Sequence, residues 1–338
     1  MTVDTRQNLR ATLGQIAFFV CALLLLALGL CYGFQPDRFA ALTIYPPWFW
    51  ILPAGIFILL AVCWKKRFAL GLAIAWLIFI VVFVEQVVSI PRSLWISQAA
   101  WQAARENGQA LRVISLNCNS QPEAMETALE FEPDILLLQE PPARKEMLAV
   151  LEKHSLSNHF TQDYIDTPII VTGDIEPLPV APDHRIFLSK ALVTISGLPS
   201  FQVVNVRLSP AEIGMNLFSP ACWRNHHANR LLRRQEMEKI LQEISFDGPV
   251  ILGGDFNTPA HSGVFDRLKP QFRDSFSAAG IGLGNTIIES LPLLRIDQIW
   301  ISNHFKAVSV RSRPCPSSDH RLVICDLILP PSSRKITK

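Results

Sequence analysis

Residues 253–257 read Gly-Gly-Asp-Phe-Asn and follow the apolar run Pro-Val-Ile-Leu. An apolar run that ends in glycines is typical of a buried strand, and the glycines let the chain turn sharply where the strand ends. Asp255 and Asn257 are therefore expected together at one strand end. A carboxylate there can hold a hard cation or polarise water, and an amide can donate to an anionic oxygen. The alternative is a tight turn in which both side chains bond their own backbone.

Two further acids are predicted at strand ends. Residues 317–320 read Ser-Ser-Asp-His directly before another apolar run, so Asp319 and His320 are expected at a strand edge. Glu140 follows the strand predicted at 134–139, whose four middle residues are apolar, and two prolines after it prevent the strand from continuing. Three acids at three strand ends favour one shared site over three unrelated surface carboxylates.

An amide and a fourth acid complete this pattern. Asn117 ends the β-branched run 111–116. Asp297 falls in the middle of the predicted strand 295–301, where a charge is costly unless it is paired, and its natural partner is a histidine. Strands alternate with helices along this part of the chain, which predicts an α/β domain. The other predicted strands are residues 169–172, 186–195 and 201–208, and the predicted helices are 122–131, 224–244 and a short one near 264–268.

Composition sets the N-terminal third apart. The chain has 338 residues, of which 49% are hydrophobic, and its first 106 residues hold 8 Lys/Arg against 4 Asp/Glu. The remaining residues hold 23 Lys/Arg against 25 Asp/Glu, so they lack the basic surface of a protein that grips nucleic acid by charge alone. A phosphate-handling site in this part would therefore need a metal ion.

Three uncharged or nearly uncharged stretches predict three transmembrane helices. They are residues 11–36, 39–64 and 68–90, with Glu85 near the far end of the third. Each is long enough for a bilayer core of about 30 Å, which roughly 20 helical residues cross. A cleaved signal peptide is the alternative for the first stretch. No small-x-small cleavage site follows it, however, and two further spans would still anchor the chain.

The basic residues predict the orientation of these spans. Arg6 and Arg10 precede the first span, residues 65–67 read Lys-Lys-Arg between the second and third, and Arg38 alone lies between the first and second. By the positive-inside rule the N-terminus is cytoplasmic and everything after Ile90 is extracytoplasmic. Residues 93–107, which include two tryptophans, form either a helix on the membrane surface or a plain linker.

The sequence thus divides into four predicted segments. They are a membrane anchor at 1–91, an interfacial helix or linker at 92–108, a catalytic domain at 109–331 and a tail at 332–338. No Cys-x-x-Cys pair occurs, which disfavours zinc. An extracytoplasmic domain permits a disulfide between Cys222 and Cys315, although buried free thiols are the default expectation.

Five short motifs, taken in order, resemble the endonuclease/exonuclease/phosphatase superfamily, which includes deoxyribonuclease I, exonuclease III type enzymes and neutral sphingomyelinases. The resemblance covers residues 112–329 and implies a two-sheet α/β sandwich with its site at one end, here preceded by the three predicted helices. The motifs are Leu116-Asn117, Gln139-Glu140, Gly-Asp-Phe-Asn at 254–257, Arg-Ile-Asp at 295–297 and Ser-Asp-His at 318–320.

The resemblance implies a role for each residue. Mg²⁺, with Mn²⁺ as a possible substitute, is the implied cofactor, because the implied ligands are oxygen donors. Asp255 and Asn257 resemble the pair that orients water and the phosphoryl group, and Asp297 resembles the acid that holds the catalytic histidine, His320. The implied metal-side residues are Asn117, Glu140 and Asp319.

One position departs from the family pattern. Related hydrolases carry Asn-x-His on a strand that here reads Asn-Val-Arg and ends at Arg207. Arginine is not a general acid at neutral pH, but it can clamp a phosphate with two hydrogen bonds. We expect Arg207 to do so, with a proton coming from a metal-bound water or from His226 or His227. The alternative is that Arg207 pairs with a surface acid.

The leading functional hypothesis is a membrane-anchored, Mg²⁺-dependent hydrolase that cleaves phosphodiesters outside the cytoplasm, with nucleic acid favoured over phospholipid. One alternative is a phosphodiesterase of lipids or their headgroups, which the anchor would hold near its substrate. The other is a binding domain that kept the fold and lost turnover. The sequence identifies no protein partner.

Overall fold

The computed structural model describes residues 3–157, 159–161, 166–184 and 187–329. The chain divides into two compact units. The first, here called the helical unit, comprises Met1–Val87, Glu212–Leu231 and His261–Gly263. The second, here called the sandwich unit, comprises Val88–Ala211, Leu232–Ala260 and Val264–Lys338. The predicted tail at 332–338 lies outside the described residues.

The helical unit is built from apolar helices. They are α1 (Val3–Phe34), α2 (Ala40–Thr43), α3 (Ile51–Val62) and α4 (Lys66–Phe83), with 3₁₀ turns at Asp37–Phe39 and Pro47–Trp50. Among the described residues, two helical stretches are long and apolar enough to cross a membrane, Gln7–Phe34 and Lys66–Phe83. The aromatic and aliphatic side chains of α1, α3 and α4 share one buried cluster.

Three unbroken spans are not confirmed. The middle stretch is a pair of helical segments, Asp37–Thr43 and Pro47–Val62, bent by 70°, and it counts as a third span only if the pair is taken as one. Consecutive prolines before Trp48 explain the break, because proline lacks the N–H that would continue a helix. The third predicted span also ends early, since Val84 is extended.

The sandwich unit contains both sheets. Its helices are α5 (Gln86–Arg92), α6 (Ala99–Glu106), α7 (Pro122–Leu129), α8 (Arg144–Lys153), α9 (Pro220–Glu243) and α10 (Ser275–Ala279), of which α5 and α9 begin within the ranges of the helical unit. Its strands are β1 (Ala110–Asn117), β2 (Ile135–Gln139), β3 (Ile169–Val171), β4 (Asp174–Pro177), β5 (Leu188–Thr194), β6 (Phe201–Arg207), β7 (Val250–Asp255), β8 (Phe272–Asp274), β9 (Asp297–Ser302), β10 (Lys306–Arg313) and β11 (Leu322–Ile328).

The strands form two mixed sheets with the orders β10-β11-β1-β2-β3 and β4-β5-β6-β7-β9-β8. Strands β1 and β2 run parallel, as do β6 and β7, and the other paired strands run antiparallel. Apolar side chains from both sheets fill the space between them, while α7 and α8 cover the outer face of the first sheet and α9 packs on the second. The predicted two-sheet α/β sandwich is confirmed.

A buried polar contact joins the two sheets near their strand ends. Nε2 of Gln139 on β2 donates to Oδ1 of Asn205 on β6 at 2.6 Å, and Nδ2 of Asn205 donates back to the carbonyl of Leu138 at 2.7 Å. All of these groups are fully buried, where an unpaired amide would be costly. The contact therefore fixes the register of one sheet against the other at the edge where the predicted acids lie.

Several predicted details need correction. Asp297 begins β9 instead of lying in its middle, and the helix expected near 264–268 is a 3₁₀ turn at Gly263–Phe265. Strands β4, β8 and β10 are not apparent in the sequence pattern because they are short or carry polar residues on an exposed face. Part of the strand predicted at 186–195 falls on residue 186, which lies outside the described residues.

The segment predicted as an interfacial helix or linker packs on the sandwich unit. Trp101 of α6 is buried, and the guanidinium groups of Arg105 and Arg112 lie 5.1 and 4.8 Å from the centre of its ring. Trp101 is therefore not a headgroup anchor, whereas Trp95 is exposed. The first part of the segment is also tied down, because the guanidinium of Arg92 donates to three backbone carbonyls of residues 276–280.

The cysteines are free thiols. All seven lie in described parts of the chain and none forms a disulfide. The Cys222 thiol donates to the carbonyl of Gly214 at 3.1 Å, and Cys315 is buried beside Ala124. The possible pairing of Cys222 with Cys315 is therefore wrong, and the default expectation of buried free thiols is confirmed for the four cysteines of the predicted domain, Cys118, Cys222, Cys315 and Cys325.

The backbone of β7 leads to a first prediction. Gly254 has a φ of +142°, and a Cβ placed there would lie 1.9 Å from the carbonyl oxygen of Val206. We expect Gly254→Ala to destabilise the chain by more than the about 1–3 kcal/mol of backbone strain, because the clash adds to it. Thermal unfolding of the detergent-solubilised full chain measures this effect. Gly248→Ala is the control, since its Cβ would meet open space. Equal midpoints for both variants would contradict the prediction.

Candidate active site

Asp255 is the centre of the site. It is the last residue of β7, and its side chain is buried. Three donors converge on its carboxylate, which are Nδ2 of Asn117 at 3.2 Å, the backbone N–H of Asn257 at 2.8 Å and Nδ2 of Asn257 at 3.2 Å. Asp255 and Asn257 therefore meet at one strand end, as predicted. The tight turn of the alternative is also present, because the backbone N–H of Asn257 donates to the Asp255 carboxylate.

Asn117 and Glu140 lie beside Asp255. Asn117 ends β1 next to the last residue of β2, and its Nδ2 also donates to Oε1 of Glu140 at 2.9 Å. Glu140 has a φ of +44°, a conformation that non-glycine residues seldom adopt and that concentrates at functional sites. The amide of Asn117 therefore bridges two carboxylates.

Asp297 and His320 form a buried pair. Nδ1 of His320 donates to Oδ2 of Asp297 at 2.8 Å, as the sequence predicts for a charge inside a strand. The loop that carries His320 is held to β1, because the hydroxyl of Ser318 donates to the Asn117 carbonyl at 2.7 Å and accepts from the His320 backbone N–H at 3.0 Å. Among the described residues, Oδ1 of Asp297 is buried without a hydrogen-bond partner.

These groups make a compact charged cluster. One ligand-type atom from each of Asp255, Asp297 and His320 lies within 4.8 Å of the others. Burial, with the nearby Asp297 carboxylate, raises the pKa of Asp255 to about 7. Burial alone would lower the pKa of His320, but the Asp297 carboxylate outweighs it and raises that pKa to about 10. At neutral pH the cluster therefore contains an imidazolium between two acids.

Arg207 faces the same acids from β6. It is the last residue of that strand and pairs with Asp255 in the β6–β7 register. Its Nη2 donates to Oε1 of Glu140 at 2.6 Å and its Nη1 to Oδ2 of Asp166 at 2.9 Å. A cavity of about 310 Å³ opens beside these ion pairs. The alternative in which Arg207 pairs with an acid is thus observed, and one of its two partners is the predicted metal-side residue Glu140.

The remaining predicted residues lie elsewhere. The side chain of Asp319 is exposed and does not belong to the buried group, although its charge contributes to the high pKa of His320. His226 and His227 belong to the Glu212–Leu231 segment of the helical unit, where Nε2 of His226 donates to the Gly214 carbonyl at 2.6 Å. His226 is therefore engaged in a structural contact.

The sequence profile of the endonuclease/exonuclease/phosphatase family matches residues 114–320, which is more than half of the chain. The chain belongs to this family. Members of this family are phosphoesterases. The chain that carries the cluster at Asp255 therefore belongs to a family of hydrolases. No curated protein sequence matches the chain significantly.

Solved structures of the family share the sandwich. The chain is similar to an endonuclease/exonuclease/phosphatase from Bacteroides vulgatus, with 16% identity, a TM-score of 0.50 and coverage of 65% of this chain and 99% of that one. It is also similar to an endonuclease/exonuclease/phosphatase from Beutenbergia cavernae DSM 12333, with 15% identity, a TM-score of 0.48 and coverage of 65% of this chain and 72% of that one. A third similar structure is truncated Caenorhabditis elegans TDP2, with 18% identity, a TM-score of 0.47 and coverage of 66% of this chain and 99% of that one. At 16% identity, the similarity to the Bacteroides vulgatus structure shows the fold alone.

Three polar residues near the site are not predicted by the sequence pattern. Asp166 binds Arg207, the guanidinium of Arg233 on α9 donates to the Asn257 carbonyl, and the hydroxyl of Thr286 accepts from the backbone N–H of Asp297 at 3.2 Å. None stands at the end of an apolar run, so periodicity gave no signal for them. They come to the site through tertiary folding.

The donor set fits a hard divalent cation, which members of this family typically use. Glu140 offers a carboxylate oxygen beside the Asn117 amide, and Asp319 offers an exposed carboxylate directly after Ser318, whose hydroxyl bonds the Asn117 carbonyl. Oxygen donors of this kind suit Mg²⁺, whereas zinc sites favour cysteine and histidine. The competing cation is the Arg207 guanidinium, which already neutralises Glu140.

The buried pair leads to a second prediction. His320→Ala and Asp297→Asn should each lower the hydrolysis of bis(p-nitrophenyl) phosphate by about 10²–10⁴-fold, the range of general acid–base catalysis. The double variant should be little worse than either single variant, because paired groups act as one unit. Single and double variants of the full chain are compared at saturating Mg²⁺. Losses that multiply would show that Asp297 does not act through His320.

Proposed function

We propose that this chain is a membrane-anchored, divalent-cation-dependent phosphodiesterase whose favoured substrate is nucleic acid. The observation that supports it most is the juxtaposition of Asp255 with the His320–Asp297 pair, with Glu140 and Asn117 alongside. A water-activating acid, a proton donor and an anionic cation-binding edge are the three elements that phosphodiester hydrolysis requires.

Asp255 acts on the attacking water. Its pKa of about 7 leaves a substantial fraction of the carboxylate ionised and still basic enough to accept a proton at neutral pH. Asn117 and Asn257 hold that carboxylate in one orientation through the hydrogen bonds described above. Nδ2 of Asn257 also donates to the Leu208 carbonyl at 2.9 Å, and it turns to a phosphoryl oxygen when substrate is present.

His320 acts on the charge that develops during cleavage. Its pKa of about 10 keeps the ring protonated, so it stabilises a phosphoryl oxygen as an imidazolium and supplies a proton to the leaving oxygen. Asp297 holds the ring through Nδ1, which leaves Nε2 for the substrate. Asp297 is in this account a positioning residue.

The cation belongs to the other edge of the site. Asn117, Glu140 and Asp319 would hold Mg²⁺, with Mn²⁺ as a substitute, and the ion when bound offsets phosphoryl charge as a Lewis acid. The carboxylate of Asp319 is exposed, and it would complete this set by turning toward the Glu140 edge.

Arg207 stands where related hydrolases carry histidine. Its Nη1 stays on Asp166 while Nη2 exchanges Glu140 for a phosphoryl oxygen, which keeps the guanidinium plane oriented throughout. The planar fork can hold Asp166 with one nitrogen and a phosphoryl oxygen with the other, and this geometry is unavailable to a lysine ammonium.

A third prediction concerns this arginine. Arg207→Lys should lower kcat/KM on bis(p-nitrophenyl) phosphate by at least about tenfold, because a point charge cannot replace the fork, and Arg207→His should not restore it. Arg311→Lys is the matched control, since Arg311 is also partly buried and faces an acid, Asp326, at 3.9 Å. Wild-type rates in Arg207→Ala would rule out the clamp.

The apolar helices support the membrane part of the proposal. Two of them are long enough to span a bilayer, the bent pair at 37–62 makes a third span when its two halves are taken as one, and the lysines and arginine at 65–67 lie at the N-terminal end of α4. We propose a cytoplasmic N-terminus and an extracytoplasmic catalytic unit, in line with the positive-inside rule. Anchoring also favours the second candidate function, a phosphodiesterase of phospholipids or their headgroups, because a membrane enzyme meets lipid at high local concentration.

The fourth prediction tests the function itself. The full chain in detergent is incubated with single- and double-stranded DNA, RNA, sphingomyelin and phosphoinositides, with Mg²⁺ or with EDTA. We expect cleavage of nucleic acid that requires Mg²⁺ and is absent in EDTA. Cleavage of lipid alone would establish the second candidate, and no turnover with Mg²⁺ or Mn²⁺ would leave a binding domain.

Glu140→Gln separates the cation site from the fold. Glutamine keeps the shape and the strained backbone of the glutamate and removes its charge, so activity should fall by at least about 10²-fold without a change in the unfolding midpoint. Glu146→Gln, on the exposed first turn of α8, is the matched control and should behave as wild type. Full activity in Glu140→Gln would exclude this acid as a ligand.

A further inference from the structure

A short loop of the helical unit exposes three large apolar side chains. Residues 212–219 read Glu-Ile-Gly-Met-Asn-Leu-Phe-Ser and precede α9. Within them Ile213 is 86% exposed, Met215 60% and Phe218 99%. Neighbouring exposed groups of this size seldom remain in water, and such patches mark interaction surfaces. The loop carries one acid, Glu212, and no basic residue.

The loop is fixed in place by bonds within the helical unit. The hydroxyl of Tyr45 donates to the Met215 carbonyl at 2.8 Å, and the Met215 side chain is left pointing into open space. The guanidinium of Arg230 donates to Gln35 at 3.4 Å and to the hydroxyl of Thr43. The loop therefore lies against the chain that follows the C-terminal end of α1.

This end of the apolar helices is ringed by aromatic side chains. The hydroxyl of Tyr32 donates to the Tyr45 carbonyl at 2.6 Å and accepts from the indole N–H of Trp50 at 3.0 Å. Phe39 packs against Trp223, with ring centres 6.0 Å apart. Tyrosine and tryptophan with satisfied polar groups are typical of the level where lipid headgroups begin.

A second aromatic group marks the opposite end. Phe18 packs against Trp64 and Phe68, and Gly14 lies against the backbone of Trp64, next to the basic residues 65–67. From Gly14 to Tyr32 of α1 the helical rise is about 27 Å at 1.5 Å per residue. This length matches a hydrocarbon core of about 30 Å, so the two aromatic groups lie one bilayer thickness apart.

We infer that Ile213, Met215 and Phe218 insert into the lipid bilayer at the aromatic end of α1, at the boundary between headgroups and acyl chains. The inference rests on the proposed anchoring and adds a lipid-contact site outside the apolar helices. Burial of apolar side chains drives the insertion, because the loop offers no base for an anionic headgroup. The loop lies at the end of α1 opposite to the basic residues 65–67, which is the extracytoplasmic side by the positive-inside rule.

Spin labels on the full chain in phosphatidylcholine vesicles test this inference. The exposed native thiol is removed as Cys63→Ser, and a nitroxide is attached at Phe218→Cys. Leu23→Cys, exposed on α1, is the lipid control, and Lys269→Cys, an exposed residue of the sandwich unit, is the aqueous control. Collision rates with oxygen and with a water-soluble nickel chelate report the depth of each label.

The inference predicts that the labels at 218 and 23 collide with oxygen at least about threefold more than the label at 269 and are shielded from nickel. The depth at 218 should not change when anionic phosphatidylglycerol is added. Lipid exposure at 23 with water or protein contact at 218 would overturn the loop insertion and leave the anchoring intact. Water exposure at 23 would overturn the anchoring, and the loop insertion with it.

Discussion

Two buried carboxylates directly opposite each other are the constraint on which the site depends. Asp255 ends β7 and Asp297 begins β9, and the antiparallel register places them side by side. Like charges opposite each other in a sheet are destabilising, and burial adds a desolvation cost. The cluster is tolerated because His320 is protonated against Asp297 and because the amides of Asn117 and Asn257 donate to Asp255. The same charge balance keeps a protonated histidine beside an aspartate whose pKa lies near neutrality.

A second charge balance lies beside the first. Glu140 shares the Asn117 amide with Asp255 and takes its positive partner from Arg207. Asn117 therefore connects the two groups of charges. A change of partner at Glu140 alters the hydrogen bonding of Asp255 through this one amide. Arg207 supplies a positive charge that does not titrate at neutral pH.

The sequence allowed the sandwich and most of the site to be predicted because strand ends are local features. Prolines after Glu140 and the glycines before Asp255 mark those ends in the chain itself, and a charge inside a strand called for the His320 partner. The ion pair of Arg207 with Asp166, the exposure of Asp319 and the association of residues 212–231 with the apolar helices depend on tertiary packing. The prolines at 46 and 47 indicate the break in the middle span, whereas the hydropathy of residues 39–64 alone predicts a continuous helix.

The central proposal is that the acidic edge at Glu140 binds a dication, which frees Nη2 of Arg207 for a phosphoryl oxygen. The most direct measurement is the anomalous diffraction of crystals of the full chain soaked in Mn²⁺. The account predicts one manganese peak in contact with Glu140, with Nη2 of Arg207 moved off that carboxylate and Nη1 still on Asp166. An absent peak at saturating Mn²⁺, with Arg207 unmoved on Glu140, would contradict it.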